Sequence, residues 1–309
     1  MMGEKAMAPA TATSVDTLLE QELARENRAL AAVVPVLRHL LASEAQRLVS
    51  DAILARVRGM LSDLAAQLLA LEAGLDPALR RAGAVDVAAH DALAETLAAD
   101  PELLSLCHAL ATESHLAERL QQQHGMDPVL SPLLQELIAS DRPQVAELAM
   151  NALAAQSRFI QSQRRMELGL CELPAELFHR MIAGCGPSEA RAALQQAYDE
   201  AAGRIGLFAR LVSAMRRGAV AALELEHAGL ALFASALAAL GGQLRAHAVI
   251  ACQEHQSGRL ALVLKAAGLE IEAIERQVLF VDPAARIPRD LVTISPERAR
   301  LLLEAGAAE

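Results

Sequence analysis

Alanine and leucine recur at three- and four-residue spacing almost from end to end of this chain, and that recurrence restricts it to close-packed helices. Both residues lead the helix-propensity ranking, and small side chains let helix axes approach one another. Apolar residues make up 53% of the sequence, yet there is no Trp, a single Tyr (Tyr198) and only five Phe. The expectation is an all-α protein of a dozen or more helices. At 309 residues it exceeds a usual single-core domain, so two or three packed units are expected.

Punctuation along the chain divides it into segments. Residues 1–16 are small and polar, with Glu4 and no apolar run, which reads as a loose tail rather than a signal peptide. A helical hairpin is expected over 17–74. Its first arm runs from Thr17 towards Pro35. The second starts at a capping box, Ser43-Glu44-Ala45-Gln46, and stops at Gly74. Within that second arm Leu54, Val57, Leu61, Leu64, Leu68 and Leu71 alternate by three and four residues. This seam suits burial against a partner helix, in the chain or in a second copy, although it is too short for a true coiled coil.

A turn-rich stretch follows Gly74, and helices resume at about residue 85. Asp100-Pro101, Asp127-Pro128 and Ser131-Pro132 each place a capping side chain before a proline at a first helical position. Glycines around Gly184-Cys185-Gly186-Pro187 separate this region, 85–184, from a C-terminal helical bundle, 187–309. In that bundle one helix is expected from Ser188 to about Arg217 across Gly203 and Gly206, followed by helices over Ala219–Leu240, Gln243–His255, Gly258–Ala267 and, after Gly268, Glu270–Val281. The strand-like patches are Val278–Val281 and Leu291–Ile294, which read as a small ribbon before a last helix capped at Ser295-Pro296.

Leu134-Leu137-Ile138 followed by Asp141-x-Pro143-x-Val145-Ala146-x-x-Ala149-x-x-Ala152-Leu153 resembles one HEAT repeat. The pattern implies that Asp141 caps the turn between two helices and that the Val and Ala positions pack into a neighbouring layer. Ala146 stands where a basic residue is usual. Further on, Ala155-Gln-Ser-Arg-Phe-Ile-Gln-Ser-Gln-Arg-Arg-Met-Glu-Leu168 and Glu172-Leu-Pro-Ala-Glu-Leu-Phe178 are similar to an uncharacterised bacterial all-helical family with HEAT-like repeats. That resemblance implies a fold and no activity, and it carries over no catalytic residue.

Charge excludes some partners. The net charge of −10 and the absence of a basic stripe argue against nucleic acid, as does the shortage of aromatics for stacking on bases. The longest uncharged apolar run, Ala228–Gly242, falls short of the ~20 residues that span a bilayer and reads as a buried core helix. Cys107, Cys171, Cys185 and Cys252 are scattered without a C-x-x-C spacing, which suits reduced thiols in a cytoplasm.

Few groupings suggest chemistry. Cys252 and His255 sit three apart, as zinc ligands on a helix do, but His247 faces elsewhere, so no metal is expected. Cys107 and His108 are sequence neighbours and point about 100° apart on a helix, and His108 and His115 lie two turns apart, roughly 10 Å. Glu224 and His227 suit a carboxylate–imidazole contact. Arg158, Arg164, Arg165 and Arg180 form the local concentration of positive charge, suited to an anion or to decorating a helix C-terminus. No catalytic residue and no cofactor is expected. The leading expectation is a non-enzymatic scaffold or adaptor that binds another protein, with the Leu54–Leu71 seam making it a homodimer. The runner-up is a regulatory module that binds a small apolar or anionic ligand between C-terminal helices.

Overall fold

The structure is a computed structural model that describes residues 48–79, 86–287 and 289–305. The chain divides into two units, Met1–Val49 and Ser50–Glu309, and the second is described below. The expected tail, the first arm of the hairpin and the Ser43–Gln46 capping box lie outside the described residues. The all-α expectation holds: there are thirteen α-helices and no strand among the described residues.

Helix α1 (Asp51–Glu72) begins at an N-cap Ser50, whose hydroxyl accepts from the Ile53 amide. The stop is as read: Gly74 is left-handed at φ +74°. Next come α2 (Val87–Ala98) and α3 (Pro101–His124). Asp100 caps α3 through the Glu102 and Leu103 amides, and Gly125 closes it. Then α4 (Pro132–Ile138) is capped by Ser131, and α5 runs from Pro143 to Arg164. Asp127 opens no helix; its carboxylate accepts from the Val129 and Leu130 amides and holds a turn.

Beyond α5 lie α6 (Ala175–Ala183), α7 (Glu189–Ala197) and α8 (Arg204–Met215). The long helix expected over 188–217 is thus broken. A 3-10 turn over Glu200–Ala202 precedes Gly203, which becomes the N-cap of α8. Gly206 permits the close approach, because a Cβ there would lie 2.5 Å from the Glu200 carbonyl oxygen. Another 3-10 segment, Arg216–Leu223, leads into α9 (Leu225–Gly241), and α10 is the short Arg245–Ala251. The set closes with α11 (Ser257–Ala266), α12 (Ile271–Val281) and α13 (Pro296–Ala305). The expected ribbon is absent. Val278–Val281 ends α12, because Ile274, Val278 and Val281 repeat at helical spacing and are buried on one face. Leu291–Ile294 falls largely in a 3-10 turn, Arg289–Thr293.

Two apolar clusters hold these helices. In one, α1 packs on α2 and α3, and its Leu61, Leu64, Leu68 and Leu71 meet Leu103, Cys107, Leu110 and the α6 residues Leu177 and Phe178. Tyr198 stacks on Phe178 at 3.8 Å and its hydroxyl donates to the Leu173 carbonyl. In the other, α9 is the axis, packed on α3, α4, α8, α10 and α11. It is bent at Gly229 (φ +70°, ψ 157°), where a Cβ would approach that of Ser131 to 2.8 Å.

The expected boundary near residue 187 does not separate the cores. Leu116, Leu134 and Ala149 share a cluster with Leu232, Val263 and Leu303, while Leu194 packs in the other. Asp141 does not cap α5 either: the N-cap is Arg142, with no side-chain hydrogen bond from it to the helix, and its own amide donates to Ser140. Helix α5 lies against α4 and α8 within a bundle around α9. No single helix among the described residues is long and apolar enough to cross a membrane.

Candidate functional site

Glu113, in the middle of α3, is 1% exposed. Two guanidiniums close on it from different helices, each at a first helical position. Arg204 of α8 gives Nη1–Oε1 2.7 Å and Nη2–Oε2 2.9 Å, and Arg245 of α10 gives Nη1–Oε2 2.7 Å and Nη2–Oε1 2.7 Å. Both pairs are bidentate, the strongest geometry for such a contact. Arg204 also donates to Gln156 Oε1 at 3.2 Å and lies 3.7 Å over the Phe159 ring. Arg245 Nε donates to Ser235 Oγ at 3.0 Å. Burial alone would raise the Glu113 carboxyl, but the Arg204 and Arg245 charges outweigh it and hold the group well below the usual carboxylate range. One carboxylate against two guanidiniums leaves this buried group with one net positive charge.

Beside the clamp is a cavity of about 260 Å³ between the C-terminal half of α5, residues 167–172 and the start of α8. Leu110, Phe159, Leu168 and Ile205 give it apolar walls, and Arg204 forms part of it. Its floor is pinned by α1. The Leu168 amide donates to Asp63 Oδ2, Gln67 Nε2 donates to the Leu168 carbonyl, and the Leu170 amide donates to Gln67 Oε1. The tight turn into that loop puts Met166 at φ +57°, a region most side chains avoid. Gly59 accommodates it, since a Cβ there would collide with Met166.

Gln163 lines the same cavity and is 1% exposed. Its amide nitrogen is directed to Met60 Sδ and the Glu167 carbonyl, while its amide oxygen accepts no hydrogen bond among the described residues. A buried carbonyl left this way costs about 1–3 kcal/mol and calls for an explanation. At the same cavity Arg158 and Glu172 are exposed, and neither is ion-paired among the described residues.

The residues singled out in the sequence are dispersed. Leu61, Leu64, Leu68 and Leu71 are buried in the chain's own core, Val57 is half-buried and Leu54 is 37% exposed. The seam is thus consumed internally and offers no continuous face to a second copy. The four arginines do not converge. Arg180 is held by Asp100 (2.7 Å) and Glu102 (2.9 Å) at the start of α3, and Arg165 pairs with Glu167 at 2.8 Å. Arg158 lines the cavity, whereas Arg164 lines a separate surface groove with Val129, Leu130, Met150 and Leu153. Burial pushes the Cys107 and Cys252 thiols up to about 12. Cys252 caps the end of α10, so His255, at φ +67°, shares no helix face with it. His227 meets Glu136 of α4 (Nε2–Oε1 3.0 Å) instead of Glu224. No group of three or more His, Cys, Asp or Glu among the described residues is placed to hold a metal ion.

One constellation had escaped the sequence reading. His90 Nε2 lies 3.2 Å from Ser62 Oγ, and its Nδ1 lies 3.3 Å from Asp91 Oδ1. This resembles a Ser–His–Asp arrangement. However, the Ser62 carbonyl is nearer to Nε2, at 3.0 Å. An N–H directed at that carbonyl leaves the nitrogen no lone pair to take the hydroxyl proton. The contact ties α2 to α1.

Fold and site together define an all-helical protein with an interior ion cluster beside a small cavity. No protein-family model, curated protein or solved structure matches the chain.

Proposed function

We propose that this chain is a non-enzymatic, all-helical binding module that takes a small ligand into the cavity between α5 and α8. The observation that carries this reading is a cavity of about 260 Å³ lined by Leu110, Phe159, Leu168 and Ile205 beside the fixed Arg204. An apolar enclosure with a few polar groups fixed around it is the usual form of a small-molecule site. The clamp supports the reading, because Glu113 and Gln156 fix Arg204 in the wall before any ligand arrives. A second reading, an adaptor for another protein, is favoured by the groove on α5, where Met150 is 51% exposed beside Val129 and Leu130. The HEAT-like segment is then the α4–α5 pair that carries this groove. Four unpaired cysteines support a reducing compartment such as the cytoplasm.

Thermal denaturation in the presence of amino acids, nucleotides, phosphorylated metabolites and fatty acids tests the ligand reading. One class at a hundred times its Kd is expected to add ~2.7 kcal/mol. Ile205→Trp, which fills the cavity, is expected to abolish the shift. No shift with any class, or a shift that survives Ile205→Trp, overturns it.

A further inference from the structure

We infer that the ligand of this cavity is a short aliphatic monocarboxylate, its carboxylate on the uncommitted edge of Arg204 and its hydrocarbon tail against the apolar walls. The inference rests on the cavity being a ligand site and names the class that site selects. Three observations support it.

The first is the free edge of a buried guanidinium. Arg204 is 2% exposed and forms part of the cavity wall. An arginine has five N–H donors. Here Nη1 donates to Glu113 Oε1 and Gln156 Oε1, and Nη2 donates once, to Glu113 Oε2. Nε and the second Nη2 hydrogen make no hydrogen bond among the described residues. Phe159 covers one face of the group, so these two donors lie side by side in the guanidinium plane, the fork that a carboxylate fills bidentately. The sealed, unpartnered side-chain atoms of the described residues are Arg56 Nε, Arg119 Nε and Gln163 Oε1, so Arg204 Nε keeps contact with open space.

The second is charge. Glu167 in the wall is cancelled by Arg165 at 2.8 Å. The other charges of the clamp and wall are Arg158, Arg204 and Arg245 against Glu113 and Glu172, which leaves one positive charge over. Burial pulls the Arg204 guanidinium below its ordinary range, and the Glu113 and Glu172 carboxylates offset that only in part. A single carboxylate answers both the excess and the burial. An ammonium would add to the excess, a zwitterion would leave it, and a phosphate monoester, at about −1.5 to −2, would overshoot it.

The third is size and lining. An apolar cavity of ~150 Å³ takes up benzene, so a larger one suits a chain of roughly six to eight carbons. At about 260 Å³ this cavity is of that larger kind, yet lies below the roughly 300–1,000 Å³ of sites for drug-sized ligands. Leu110, Phe159, Leu168 and Ile205 offer contact to hydrocarbon and penalise a second charge on the tail.

Isothermal titration of the full chain with hexanoate and octanoate tests this, with the amide and the amine of matching chain length as probes that lose the negative charge. At least one of the two acids is expected to bind, at least tenfold tighter than its amide or amine. The Arg204 Nε–H resonance, assigned by through-bond correlation, is expected to move on saturation with that acid. Arg204→Lys keeps the charge facing Glu113 and removes the fork, so it is expected to weaken the acid at least tenfold. Arg158→Gln changes an exposed residue and is expected to alter the affinity less than threefold. Circular dichroism checks the fold of both variants, and where Arg204→Lys fails that check the wild-type resonance decides. Discrimination below tenfold, an unmoved Nε–H resonance, or a loss in Arg158→Gln as large as that in Arg204→Lys overturns the inference. Binding only of an amino acid, nucleotide or phosphorylated metabolite, abolished by Ile205→Trp, would also overturn it while leaving the cavity as a ligand site. Failure of every compound would remove both.

Discussion

Replacing Glu113 by Gln tests the reasoning behind the buried clamp most directly. The substitution keeps the side-chain shape and removes one negative charge, so Arg204 and Arg245 are left facing a neutral amide. Arg204 is 2% exposed, whereas Arg245 is slightly more open. Breaking a buried pair in this way typically destabilises by about 3–5 kcal/mol. At roughly 2–4 °C per kcal/mol for a chain of this class, Tm should fall by about 6–20 °C. The stoichiometry also predicts an order. Arg204→Met leaves the carboxylate with the more open guanidinium, and Arg245→Met leaves a balanced Glu113–Arg204 pair, so the losses should run Glu113→Gln, then Arg204→Met, then Arg245→Met. Urea denaturation followed by circular dichroism measures all three. Because the Glu113 carboxyl titrates in the folded chain below its ordinary value of 4.5, its contribution is present in full above that value and is lost as pH falls. The wild-type minus Glu113→Gln difference should therefore shrink on acidification. A loss below about 1 kcal/mol at neutral pH, or Arg245→Met as the most damaging of the three, would refute the account.

Other outcomes follow from the packing. Leu61→Glu places a charge in the α1–α3 core and should destabilise by several kcal/mol while light scattering reports the wild-type mass; a change of mass in a still-helical protein would mean the seam lies between copies. Gly229→Ala should cost about 1–3 kcal/mol in chemical denaturation, because position 229 needs a positive φ and Ser131 occupies the space a Cβ would take; a stability equal to wild type would remove the bend as a packing requirement. With a thiol-specific disulfide reagent, native protein should show fast reaction at exposed Cys171 and protection at buried Cys107, Cys185 and Cys252. All four should react after denaturation, and rapid native modification of Cys107 or Cys252 would contradict their burial.

Local signals were the readable part of this fold. Asp100-Pro101, Ser131-Pro132 and Ser188 each stand where a helix starts, because a cap needs only its own next turn. The same grammar misled at Asp127, where the carboxylate closes a turn, and at Asp141, where Arg142 became the cap. Val278–Val281 looked strand-like by residue type, although burial of one face of α12 decided its structure. The candidate site was illegible for another reason. Glu113 and Arg204 are 91 residues apart and Glu113 and Arg245 are 132 apart, so no local spacing announces their meeting. Gln163 reads as an ordinary polar helix residue, yet it is buried, with its amide nitrogen directed to Met60 of α1 and to the Glu167 carbonyl. Arg158 alone of the four highlighted arginines lines that cavity, and it does so with Glu167 and Glu172 rather than with the other three.

Helix α3 supplies Leu103, Cys107 and Leu110 to one apolar cluster and Leu116, Ala117 and Leu120 to the other. Neither half of the molecule thus owns the rod it is built on. Fraying at either end propagates along a shared backbone, so heating should produce one sigmoidal melt with no plateau, and a fragment cut near residue 187 should fail to fold by itself. In evolutionary terms, such a chain resists being shuffled as modules: a recombination breakpoint there would strand both pieces.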